Sequence, residues 1–265
     1  MEFSIITITF NSEGTLEETF NSILRQEYRP LQYIVIDGLS KDNTLDIIKK
    51  YAPIFKKNGI DFYFKSEKDE GIADAFNKGI AYANGDVIGI INSDDKLSDD
   101  ALNVIAEKYS DDINVYYGKC IVFNSNNNEN YIAIPNFIKN SELLKSSMAL
   151  FHPACFVSKQ TYVKYGLYDT GFKFCMDREF FLRIYKAGCF FSYIDKPLAF
   201  YREGGTNQVN YEKCAKENME ISIKYGMNPI EARIRKGYFK IHDYIWKIVQ
   251  KIGVEHIFHK KLEKV

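Results

Sequence analysis

The sequence predicts an α/β fold built on a mostly parallel sheet with flanking helices, and two observations carry this. Over the first 120 residues, short β-branched apolar runs alternate with segments whose apolar residues recur at helical spacing. The run Val87–Ile91 is apolar throughout, as a strand covered on both faces must be. Strands alternating with helices imply parallel pairing with right-handed crossovers. The chain has 265 residues, 46% of them hydrophobic, which suits one large domain or two small ones and excludes disordered and collagen-like architectures.

The elements follow in order. Phe3–Phe10 reads as a strand. Leu16, Phe20, Ile23 and Leu24 then recur at helical spacing behind caps at Asn11 or Ser12. Tyr33–Ile36 is a second strand, ending at Asp37-Gly38. Leu45–Phe55 is helical, with Pro53 expected to break its end. Phe62–Phe64 is a third strand. Ile72, Phe76 and Ile80 line a helix that stops near Asn84-Gly85. After the strand at Val87, the residues Leu102, Ile105 and Tyr109 mark a helix, and Val115–Tyr117 a fifth strand. Asn124–Asn130 reads as a hairpin tip between Cys120–Phe123 and Tyr131–Ile134. Asp177–Ala187 suggests a helix, and Phe190–Ile194 and Ala199–Tyr201 two short strands. From Tyr211 the pattern is helical, interrupted near Gly226–Pro229.

Charge is unevenly spread. Thirty-five basic and 35 acidic residues cancel, which argues against a dedicated nucleic-acid binder. Arg233–Val265, however, holds nine Lys/Arg against three acids, so the tail carries +6 and the preceding body −6. Five scattered cysteines without a CxxC pair fit reduced thiols better than disulfides or a zinc site. The N-terminus lacks the features of a signal peptide, and no apolar run approaches the roughly 18–20 residues of a membrane span. A soluble, cytoplasmic chain is expected.

In open parallel sheets, ligands bind beyond the carboxyl ends of the strands. The residues there are Thr9-Phe10-Asn11, then Asp37, then Ser66–Gly71, then Asn92-Ser93-Asp94-Asp95. Adjacent carboxylates repel one another unless a cation lies between them. A hard divalent cation on a substrate diphosphate meets that need, so Asp94-Asp95 is a metal–diphosphate candidate. The alternative is a solvated turn that caps the next helix, although Ser98 and Asp99 could do the capping instead. His152, before Pro153, either touches ligand or has a structural role. GxxxxGK[ST], GxGxxG, GxSxG and HExxH patterns are absent, against P-loop enzymes, Rossmann dehydrogenases, α/β-hydrolases and zincins.

These residues reach a resemblance. Ile6–Asn11 is similar to the opening strand and turn of the GT-A-fold glycosyltransferases of family 2, and Ile36–Thr44 to their "DGSTDGT" segment. Ser66–Gly79 (SEKDEGIADAFNKG) is close to a form found in bacterial polysaccharide transferases. Asn92–Asp95 resembles their "LNSDD" version of the DXD signature, Cys175–Glu179 their catalytic helix, and Gly204-Gly205-Thr206 the loop behind it. The resemblance spans about residues 3–206, with six motifs, each weak alone, in the family's order. It implies a GT-A domain over 1–210, with a nucleotide-sugar half to about 120 and an acceptor half after it, and a basic amphipathic helical extension over 211–265.

The resemblance further implies that Thr9, Asn11 and Asp37 hold the nucleoside, and that Asp69, Asp74, Asn77 and Lys78 line the nucleotide and sugar side. Ser93, Asp94 and Asp95 would meet the diphosphate with Mn²⁺ or Mg²⁺, Asp95 as the more direct metal ligand. Asp177 would be the general base of an inverting, single-residue transfer, His152 an acceptor or diphosphate contact, and Arg183 a structural residue. Many relatives carry Arg where this chain has Phe76, so neutralisation of the diphosphate would fall to the metal and Lys78. By spacing alone, Asp177 also reads as a helix N-cap, and Asn77 and Lys78 as surface residues.

The implied partners are a nucleotide-sugar donor, such as a UDP-sugar, and a glycan or polyprenyl-diphosphate-linked acceptor. The tail alternates Tyr238, Phe239, Ile241, Ile245, Trp246, Ile248, Val249 and Ile252 with Lys240, Lys247 and Lys251. Such a helix fits an anionic membrane surface, or else its own body or a second copy. A nucleotidyltransferase acting on sugar phosphates is the alternative enzyme, although Asn11–Gly14 lacks the Gly-rich basic loop such enzymes carry. A binding protein without catalysis is the third reading, with Asp94, Asp95 and Asp177 against it.

Overall fold

The computed structural model describes residues 1–123, 130–135, 149–204 and 210–238. The first half alternates as expected: β1 (Phe3–Thr9), α1 (Leu16–Leu24), β2 (Leu31–Asp37), α2 (Thr44–Lys57), β3 (Asp61–Ser66), α3 (Ile72–Tyr82) and β4 (Val87–Ile90). Then come β5 (Lys96–Leu97), α4 (Ala101–Glu107), β6 (Val115–Phe123), β7 (Asn130–Ala133), β8 (Cys155–Ser158), α5 (Lys159–Tyr165), α6 (Met176–Lys186), β9 (Phe191–Arg202) and α7 (Tyr211–Lys224). Residues 229–238 are again helical.

One mixed sheet runs β3-β2-β1-β4-β8-β6-β9-β5, with β7 on the far half of β6. The first four strands are parallel. β8 enters antiparallel between β4 and β6, so the second half of the chain continues the sheet begun by the first. Alternation sets the two layers. Phe3, Ile5, Tyr33 and Val35 face one side, against Phe20, Ile48 and Phe55 of α1 and α2. Ile6, Ile34, Ile36 and Ile88 face the other, against Phe76, Phe180 and Ile184 of α3 and α6. Each such fully buried side chain contributes about 1.5–3 kcal/mol. All five cysteines are free and buried.

Three expectations change. α2 runs through Pro53 to Lys57, because Ile48, Tyr51 and Phe55 keep one face buried on both sides of the proline. The two short strands expected after Cys189 are one strand, β9, with an irregularity opposite Gly118-Lys119. A side chain at Gly118 would lie 2.7 Å from the Lys196 carbonyl, so only glycine permits that close crossing. β5, β8 and α5 were not anticipated. The β6–β7 pairing matches the expected hairpin, whose tip at 124–129 lies outside the described residues, as do the loop at Gly205-Thr206 and the tail from 239.

α7, the start of the expected extension, packs on α6. Cys214 and Ile221 share a buried cluster with Cys175 and Leu182. α7 ends before Gly226, whose φ of 97° stops the helix where the interruption was expected.

Candidate active site

A cleft of about 610 Å³ opens at the carboxyl ends of β1, β3 and β4. Seven expected residues line it: Thr9, Asn11, Asp69, Ser93, Asp94, His152 and Asp177. The loops that carry them are tied together. The backbone N–H of Asn11 donates to Ser40 Oγ at 2.8 Å, and Lys41 N–H donates to Asn11 Oδ1 at 2.8 Å. Asn11 takes a left-handed φ of 50° to do this. The hydroxyls of Ser12 and Ser93 meet at 2.8 Å and join the loops after β1 and β4. Gly71, at φ 118°, makes the turn into α3, and its N–H donates to Asp69 at 3.0 Å. The Thr9 hydroxyl is buried and has no hydrogen-bond partner, a polar atom left for a ligand.

Asp94 and Asp95 differ. Asp94 lines the cleft. Asp95 is 1% exposed, and its carboxylate accepts from Arg202 N–H at 3.0 Å and from the Asn92 amide at 3.1 Å. Burial raises the pKa of both, and the charge of Asp94 raises Asp95 further. Asp94 is therefore the more accessible of the two, because the backbone of β9 occupies the inner carboxylate. Among the described residues no cluster of three or more His, Cys, Asp or Glu forms a metal cage. The pair suits a hard cation that takes one or two carboxylates from the protein and its other oxygens from a substrate diphosphate and water.

Asp177 is the second residue of α6, and Cys175, not Asp177, is its N-cap. Burial raises the pKa of its carboxylate, opposed by the N–H and the charge of Arg178. Arg178 points away to α7, donating to the Asn218 carbonyl and Ser222 Oγ, both at 2.9 Å. Arg183 has the structural role expected of it. It donates to the carbonyls of Tyr165 and Leu167 and pairs with Glu179.

His152 stacks on Phe76 at 5.0 Å between ring centres, and its Nε2 meets Tyr168 Oη at 2.9 Å. Burial lowers its pKa to about 4, so the ring is neutral near pH 7.

Four expected donor contacts do not line the cleft. Asp37 is fully buried and accepts from Ser40 N–H at 3.1 Å and Ser66 Oγ at 2.6 Å. Asp74 accepts from Glu70 N–H and pairs with Lys78, both at 3.0 Å. Lys78 also donates to the Lys68 carbonyl. Asn77 clamps Tyr168, donating to its carbonyl at 2.9 Å and accepting from its N–H at 3.0 Å. These four side chains hold the walls in place.

Arg202 lines the cleft and was not anticipated. Its guanidinium donates to the Asp94 carbonyl at 3.2 Å and pairs with Glu18 at 3.0 Å. Nothing in the sequence joins it to Asp94, 108 residues away. Tyr201, Phe174 and Met176 complete the wall toward Asp177.

An open α/β sheet thus carries paired acids beyond β4 and a buried carboxylate across the cleft. The chain belongs to glycosyl transferase family 2, whose model matches residues 4–166, and it is an enzyme that transfers sugars. It is 32% identical over 188 residues to an uncharacterized glycosyltransferase of Mycobacterium tuberculosis (strain CDC 1551), covering 68% of this chain and 67% of that one. It is 25% identical over 204 residues to the GalNAc(5)-diNAcBac-PP-undecaprenol beta-1,3-glucosyltransferase of Campylobacter jejuni, covering 76% and 64% of the two chains.

Two solved structures share the fold. TarS 1-349 of S. aureus in complex with UDP-GlcNAc aligns at TM-score 0.61 and 18% identity, over 90% of this chain and 71% of that one. The mannosyltransferase PcManGT of Pyrobaculum calidifontis, in complex with GDP-Man and Mn²⁺, aligns at TM-score 0.64 and 16% identity, over 91% and 69%.

Proposed function

We propose that this protein is an inverting, non-processive glycosyltransferase that moves a sugar from a nucleotide-diphosphate donor, a UDP-sugar, to a hydroxyl of a glycan or polyprenyl-diphosphate-linked acceptor in bacterial surface polysaccharide synthesis. The observation that carries this is one cleft shared by Thr9, Asn11, Asp69, Ser93 and Asp94 on the donor side and Asp177 across from them. The names of the Campylobacter relative and the TarS complex support the lipid-linked acceptor and the UDP donor.

Thr9, Asn11 and Asp69 hold the nucleoside and sugar, framed by Asp37, Asp74, Asn77 and Lys78. Asp94 faces the diphosphate, backed by Asp95, and Arg202 supplies positive charge where relatives use the arginine replaced here by Phe76. Mn²⁺ or Mg²⁺ held by Asp94, with Asp95 behind it, would neutralise charge developing on the leaving diphosphate. An acceptor hydroxyl is a weak nucleophile, so Asp177 takes its proton as the oxygen attacks the anomeric carbon. A single displacement inverts that carbon. The carboxylate of Asp177 is suited to this because burial strengthens it as a base.

Among the described residues no helix is long and apolar enough to cross a membrane. On the helix at 229–238, Ile230, Ile234 and Tyr238 are about two-thirds exposed at four-residue spacing, beside Arg233, Arg235 and Lys236. That face, with the basic composition of residues 233–265, supports recruitment of the enzyme to an anionic membrane carrying the acceptor, peripherally at its cytoplasmic side.

The test is hydrolysis and transfer with UDP-glucose, UDP-galactose, UDP-GlcNAc and GDP-mannose, with and without Mn²⁺. At least one donor should turn over, and Asp177→Asn should lower kcat by about 10²–10⁴ with donor affinity kept. Unchanged turnover in Asp177→Asn would overturn the assignment of the base.

A further inference from the structure

α7 lies beyond the matched residues 4–166, yet it reaches the turn before α6 that borders the site. Glu217 on α7 receives three consecutive backbone N–H groups. Lys173 N–H donates to Oε1 at 2.8 Å, and Phe174 and Cys175 N–H both donate to Oε2 at 2.9 Å. These are donors at the entrance of α6, where Cys175 is the N-cap and makes no side-chain cap bond of its own. A helix start normally recruits its cap from the same chain segment. Here the cap comes from a helix more than 40 residues on. Asp177 follows Cys175 by two residues, and the neighbouring Phe174 and Met176 line the cleft.

The buried acid on α6 itself is different. Glu179 is neutralised by Arg183 and Lys224. Glu217 meets backbone N–H groups and, among the described residues, no cation. Its charge therefore stays directed at the helix entrance.

We propose that Glu217 is a positioning residue for sugar transfer, fixing the turn that aims Asp177 into the cleft. This rests on Asp177 as the general base. As a nearby negative charge, Glu217 also favours the protonated form of Asp177. Among the described residues, the other charged or titratable groups facing Asp177 are Arg178, the thiols of Cys155, Cys175 and Cys214, and the hydroxyls of Tyr168 and Tyr201.

The experiment follows steady-state hydrolysis of UDP-GlcNAc, or of the best donor in the panel above, from pH 5 to 9 with Mn²⁺ in Glu217→Ala, Glu217→Gln and Asp177→Asn. Glu217→Ala should lose about tenfold in kcat with donor KM little changed, since misplacing a reacting group costs that much or more. Glu217→Gln keeps the shape and removes the charge, so the acid limb of kcat should move to lower pH. If Glu217→Ala does not fold, Glu217→Gln decides alone. An acid limb that does not move, with Asp177→Asn inactive, overturns the role of Glu217 while leaving the base. Turnover in Asp177→Asn overturns both.

Discussion

The backbone N–H of Arg202 donates to Asp95 Oδ1 at 3.0 Å, and the guanidinium of the same residue reaches the Asp94 carbonyl at 3.2 Å. One residue of β9 thus seals the inner acid of the pair and presents a cation beside the outer one. Arg202→Ala should weaken UDP binding about 10- to 100-fold, the loss of a charge-assisted hydrogen bond of about 1.5–3 kcal/mol. Calorimetry with UDP measures this, and unchanged affinity would remove Arg202 from the donor site.

The two acids should separate under mutation. Asp94→Ala is expected to abolish the gain in UDP affinity that Mn²⁺ gives, with the melting temperature little changed. Asp95→Ala leaves the Arg202 N–H and the Asn92 amide without their acceptor, and should also lower stability by about 1–3 kcal/mol. Thermal melts with UDP, each with Mn²⁺ or with EDTA, read both effects.

His152 makes stability depend on pH. Its folded pKa of about 4 lies below the unfolded value of 6.5, so the unfolded chain binds the extra proton between them. The contribution of neutral His152 is complete above about pH 6.5 and is lost as pH falls toward 4, up to about 3 kcal/mol in total. Urea unfolding at pH 7 and pH 5 should show a smaller difference in His152→Gln than in the parent. Equal differences would contradict the burial of the ring.

Asn77 joins α3 to the segment leading into α6 through both backbone groups of Tyr168. Asn77→Ala should lower stability by about 1–3 kcal/mol, because it leaves an N–H and a carbonyl unpaired. A shifted urea midpoint with an unchanged slope is the expected signature.

Membrane contact is read by flotation with vesicles of phosphatidylglycerol and phosphatidylethanolamine. The protein should float, and Ile230→Asp with Ile234→Asp should reduce flotation severalfold, since each removes an exposed apolar contact. Flotation that ignores both substitutions and removal of 233–265 would leave the acceptor side without a membrane role.

Much of this was legible along the chain because its cause is local. The apolar runs of β1, β2 and β4 and the spacing of Ile72, Phe76 and Ile80 are periodicities, and they marked strands and a helix correctly. Acids placed just after strands gathered at one end of the sheet because parallel strands all finish on the same side. Charge order also showed an acidic body and a basic tail.

Other features depend on pairing between distant segments, for which a one-dimensional pattern carries no signal. β8 is four residues long and owes its place to the edges of β4 and β6. Pro53 is tolerated because both sides of α2 remain buried. Asp94 and Asp95 are adjacent carboxylates in sequence, and β9 alone makes one accessible and the other enclosed. Arg202 meets Asp94 across 108 residues, and Glu217 meets the α6 entrance across more than 40. Local composition set which side chains were available and roughly where the sheet would gather them, whereas the hydrogen bonds and burial created by folding assigned each one its role.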